Sequence, residues 1–227
     1  MPPLWPGYGE SVTDTAASTA FPAVELDVDA ARRHFPAFGL EASAGQSFFE
    51  NAGGSFACRQ TIDALHRYYV EHKVQPYAEY RASAEAGAQM DRSRTAWVDA
   101  LGVGADEVVF GPSTSMNTYV LAQAFGAVLE RGDHVVVTNQ DHEANTGAIR
   151  RVAERQGCVL HEWRTDPTTG LLDLADLERL LDARTRLVTV PHASNVIGME
   201  NDVVAIAELA HAVGARLVVD GVSFAPH

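Results

Sequence analysis

From Leu101 onward, short β-branched runs alternate with helix-length segments, and this alternation restricts the fold more than any other feature of the chain. The strand-like runs are Glu107–Phe110, His134–Asn139, Val159–Arg164, Leu187–Pro191 and Arg216–Asp220. Helical patterns fill the intervals at about 117–131, 143–156, 173–182 and 201–213. Gly132-Asp133, Gly157 and Gly214 each stand where a helix should close before the next strand. Strands of this length, separated by helices, predict an α/β fold: a mostly parallel sheet with helices on both faces.

The hundred residues before Leu101 are organised differently. Residues 1–24 are rich in Pro, Gly, Ser, Thr and Ala without periodicity, which predicts a flexible N-terminal lead. A helical segment is expected over 25–100, beginning with Asp27 as a cap and resuming after Arg59 and after Ala82. The α/β domain then occupies 101–227.

Charge and composition narrow the partners. With 30 acidic against 17 basic residues, the formal net charge is −13, which argues against nucleic acid and against an anionic membrane surface. No apolar run is long enough to span a bilayer, and Met1 to Ala20 lacks the basic and apolar blocks of a signal peptide. Cys58 and Cys158 show no metal-ligand spacing, and no metal site is expected. A cytoplasmic protein with two unpaired thiols is the resulting expectation.

Open parallel sheets bind ligands beyond the carboxyl ends of their strands. Four of the five expected strands end in polar residues: Ser113-Thr114-Ser115, Asp141-His142-Glu143, His192-Ala193-Ser194-Asn195 and Asp220-Gly221-Val222-Ser223. Hydroxyls and free N–H groups where a helix begins at Ser113–Ser115 make either an anion site or an ordinary cap. Asp141 and Glu143 read as a capped helix start, whereas His142 offers a flat imidazole to stack on a ligand. Asp220, ending the apolar run Leu217-Val218-Val219, either meets a cationic partner or caps the turn at Gly221. Asn195 offers a donor and an acceptor, or serves the turn. No GxxxxGK and no GxGxxG follows any strand, so the familiar nucleotide loops are missing. A phosphate cradle, a stacking surface, a carboxylate for a cationic ring nitrogen and a polar ring contact together describe a site for pyridoxal 5′-phosphate (PLP).

Five segments in order carry a resemblance: Phe49-Glu50-Asn51-Ala52-Gly53-Gly54, Gly111-Pro112-Ser113-Thr114-Ser115, Asp141-His142-Glu143-Ala144-Asn145, His192 to Gly198, and Val219 to His227. Together they resemble the class V, fold-type-I PLP enzymes, in the cysteine-desulfurase-like branch. The resemblance implies that Thr114 and Ser115 hold the cofactor phosphate and that His142 stacks on the ring. It further implies that Asp220 pairs with the ring nitrogen and that Asn195 and Ser223 contact the ring hydroxyl. Asn51 and Gly53 are implied to lie near an amino-acid substrate, and a homodimer is implied as the working form.

The resemblance also implies what to expect of catalysis. The lysine that anchors PLP in this family follows the Asp220 segment, further on than the chain reaches. Of the 17 basic residues only Lys73 is a lysine, and it precedes the sheet. The expectation is therefore the front portion of a PLP-dependent transferase or lyase, with no catalytic lysine and no activity by itself. The alternatives are a non-catalytic PLP-binding or dimerising short form and a generic nucleotide-binding α/β domain.

Overall fold

The computed structural model describes residues 26–225, so the expected flexible lead at 1–24 lies outside the described residues, as do Pro226 and His227. The chain divides into two compact units, with the boundary between Val109 and Phe110.

In the first unit, Asp27 caps α1 (Val28–Arg33) by accepting from the Ala30 N–H at 2.8 Å. Helix α2 (Arg59–Arg67) runs on into a wider turn over Tyr68–His72 before Lys73 ends it. Helix α3 (Arg81–Leu101) is the longest element and closes on left-handed Gly102. Buried His72 lies 3.3 Å from Glu85 of α3, through its Nε2. Tyr77 precedes α3 at φ 68, a left-handed backbone that costs a non-glycine residue energy. Its ring lies against Gly87, and its hydroxyl donates to Asp91 at 2.9 Å.

The second unit carries helix α4 (Thr114–Gly126), β1 (His134–Thr138), α5 (Glu143–Gln156), β2 (Val159–Trp163), α6 (Leu174–Leu180), β3 (Thr185–Pro191), α7 (Val203–Ala212) and β4 (Arg216–Asp220). The four strands form one parallel sheet in the order β2-β1-β3-β4. Alternation along each strand divides the core in two. Val135, Val137 and Leu187 face Ile149 and Val152 of α5 and Ala122 of α4. Val136, Val188 and Val190 face the other way, with Leu177 of α6, Ile206 of α7 and Trp163. The sheet thus has helices on both faces, as the alternation predicts.

Two expectations are corrected. Glu107–Phe110 forms no strand among the described residues: Val108 takes extended dihedrals, but an extended run becomes a strand only where another offers a ladder. The helix expected at about 117–131 runs instead from Thr114 to Gly126. Gln156 of α5 donates to the Gly126 carbonyl at 2.7 Å, so a side chain takes the acceptor that another turn of α4 would have used. Gly157, at φ 71, closes α5 in the left-handed conformation that glycine adopts at least cost.

Candidate functional site

A cleft of about 220 Å³ opens at the carboxyl end of the sheet in the second unit. Thr114, Asn117, Thr118 and Leu121 of α4 line one side, and Asp141, Asn145 and Ile149 another. Thr189 of β3 and Val218 to Val222 complete it. A cavity of about 150 Å³ holds a benzene ring, so this space admits a substituted six-membered ring.

Each wall follows from local structure. Ser113 is the N-cap of α4 and accepts from the Met116 N–H at 3.2 Å, so the capping hydroxyl is Ser113 rather than Thr114 or Ser115. The N–H groups of Thr114 and Ser115 have no acceptor one turn earlier within the helix and lie at its positive end. His142 is the N-cap of α5; its Nδ1 accepts from the Ala144 N–H at 3.0 Å, which fixes the ring's orientation and leaves Nε2 as the donor.

Asp220 ends β4, beside Pro191 of β3 in the ladder. Its Oδ1 accepts from the Val222 N–H at 2.9 Å, and its Oδ2 accepts from Asn145 Nδ2. The same Asn145 nitrogen donates to Asp141 Oδ1 at 3.1 Å, while Asn145 Oδ1 accepts from the Thr118 hydroxyl at 2.8 Å. One buried amide therefore holds two carboxylates with its two protons and ties both to α4. Burial is the main reason the Asp141 carboxyl is raised to about 6; hydrogen bonds from Asn145 and the His142 N–H oppose the shift, and the charge of Asp220 adds to it.

Thr114 and Asp220 thus come together in one cleft. Ser115 is exposed in the first turn of α4, and His142 is exposed at the head of α5; neither lines the cleft. Asn195 is half-buried in the turn after β3, a turn tightened by Ser194 N–H to Met199 O and Gly198 N–H to Ser194 O, both at 2.9 Å. Ser223 is exposed in the turn after β4, next to Phe224, whose ring stacks on His192 with centroids 3.6 Å apart. Asn51 and Gly53 belong to the first unit, on an exposed turn where the Ser55 hydroxyl donates to Asn51 Oδ1 at 3.4 Å.

Sequence reasoning assigned no role to Asn145. The available signal was an Asx pair one helical turn apart, Asp141 and Asn145, opening a helix at the rim where Asp220 emerges.

Comparison with known proteins agrees with this architecture. Residues 47–227 match the family model described as aminotransferase class-V. An aminotransferase-like protein of Gibberella zeae is 34% identical over 208 residues, 89% of this chain and 50% of its own length. A cysteine desulfurase of Enterobacter sp. is 33% identical over 214 residues, 90% of this chain and 51% of its own. Among solved structures, a cysteine desulfurase from Thermococcus onnurineus superposes with a TM-score of 0.76 at 27% identity, covering 84% of this chain and 46% of its own. The chain spans about half the length of the curated relatives it matches. The family uses pyridoxal phosphate as its cofactor. With the matched model covering most of its residues and these relatives agreeing, the chain belongs to the class V aminotransferase family.

Proposed function

We propose that this chain supplies the PLP site of a PLP-dependent transferase or lyase of the cysteine-desulfurase type, acting on an amino acid. The observation that carries the reading is the cleft in which a carboxylate, Asp220, stands across from the first turn of α4. The donor set suits the group: free helix N–H groups for a phosphate, a carboxylate for a cationic nitrogen, and apolar walls for a ring. When bound, PLP supplies the electron sink that stabilises negative charge developing at an amino acid's Cα.

The chain's own residues then have these tasks. The N–H groups of Thr114 and Ser115, with their hydroxyls, hold the phosphate at the positive end of α4. Asp220 keeps a proton on the ring nitrogen by pairing with it, and Asn145 fixes the carboxylate's orientation. Leu121, Ile149 and Val218 exclude water from behind the ring. His142, at the head of α5, would stack on the ring, and Asn195 and Ser223 would contact its hydroxyl.

The protein works as a homodimer in the cytoplasm. The apolar side chains Met116, Tyr119 and Val120, half-exposed on α4, support self-association, and the free thiols Cys58 and Cys158 support a reducing compartment. A second reading is a PLP-binding module without turnover, in which Lys73, exposed at the end of the turn after α2, takes no part.

A PLP titration followed by absorbance, with borohydride reduction and mass analysis, tests the reading. Saturable binding that dialyses away is expected, weakened by roughly tenfold to a hundredfold in Asp220→Ala through loss of a charge-assisted contact. A folded chain that shows no saturable binding would overturn it, and borohydride fixation at Lys73 would overturn the expectation that the bound cofactor dialyses away.

A further inference from the structure

Thr189 is left over when the polar groups of the cleft are paired. It is 2% exposed on β3, lines the cleft, and carries the one buried side-chain oxygen among the described residues that has no hydrogen-bond partner, Oγ1. In the ladder Thr189 stands opposite Val218, two positions before the Pro191–Asp220 pair, so it shares a sheet face with Asp220. The neighbouring polar groups are satisfied: Thr118 by Asn145, Asn145 by Asp141 and Asp220, and Asp220 by Asn145 and the Val222 N–H. A buried hydroxyl without a partner is disfavoured, and valine, of nearly the same shape, would fill this strand position without that cost. An unpaired hydroxyl on a residue that lines the cleft has a place in ligand binding that packing alone does not give it.

We infer that Thr189 is a ligand-binding residue whose hydroxyl, without a partner within the protein, takes a polar atom of the bound heterocyclic ligand as its partner. The inference rests on the PLP reading and goes beyond it, because it adds a contact at the floor of the site, behind the rim residues.

The test uses the 227-residue chain with Thr189→Val and Thr189→Ser. Thermal melting of the ligand-free protein and titrations with PLP and with inorganic phosphate are measured on each. Thr189→Val should melt a few degrees higher than wild type and bind PLP about tenfold more weakly. Its phosphate affinity should be unchanged, since that group sits at α4. Thr189→Ser should keep PLP affinity within about twofold. Equal PLP affinity in wild type and Thr189→Val would overturn this inference alone. So would a lower melting point in the valine variant, which would mean that the oxygen already has a partner without ligand. A parallel loss of phosphate affinity would assign the effect to distortion and overturn it as well. Failure of the folded wild type to bind PLP would overturn the broader reading together with this one.

Discussion

The raised Asp141 carboxyl gives the most quantitative expectation. Its ordinary value of 3.8 rises to about 6, chiefly because burial disfavours the charged form, with Asp220 adding like charge across Asn145. The folded state therefore holds the proton more tightly than the unfolded chain. The contribution to stability is greatest below 3.8, falls as the pH rises from there to about 6, and is constant above. The interval corresponds to about 3 kcal/mol. Asp141→Asn resembles the protonated acid and keeps an oxygen to accept from Asn145 and the His142 N–H. The variant should lose this pH dependence and be more stable than wild type above pH 6, by up to about 3 kcal/mol. Urea unfolding of ligand-free protein would be followed by fluorescence in a Trp5→Phe, Trp97→Phe background, leaving Trp163, buried in β2, as reporter. Measurements from below pH 3.8 to above pH 6 give the difference between variant and parent, in which titrating groups far from Asp141 cancel. A difference independent of pH, or a variant less stable above pH 6, would refute the reasoning.

Two further expectations concern packing. Leu187→Ala, at a fully buried position facing α5, should cost about 2–5 kcal/mol in urea unfolding. In the first unit, a Cβ at Gly87 would stand 2.6 Å from the Tyr77 ring, so Gly87→Ala should displace that ring and its bond to Asp91. A loss of about 1–3 kcal/mol is expected, with faster amide exchange at the start of α3.

Much of the second unit was legible because two signals coincided there. Runs such as Val135-Val136-Val137 and Leu187-Val188 are apolar on both faces, as a sheet covered twice requires, and Gly157 stops α5 immediately before β2. Glu107–Phe110 carried the same composition without a partner strand among the described residues, and composition does not report pairing. The Asp220 position was legible because strand ends in a parallel sheet share one rim; Thr114 follows no strand among the described residues and reaches the cleft because α4 packs against α5. Asn145 was not, since its role depends on the angle at which α5 passes β4 and not on its neighbours in sequence. Thr189 was hidden for the opposite reason: a threonine inside an apolar strand reads as packing, and only the count of partners around its oxygen distinguishes it.

The central claim is that the cleft between the first turn of α4 and Asp220 holds PLP. A crystal structure of the protein soaked with PLP tests it most directly. The account predicts density with the phosphate on the Thr114 and Ser115 N–H groups and the ring nitrogen against Asp220. Density at any other place, or a cleft without density under saturating cofactor, would contradict it.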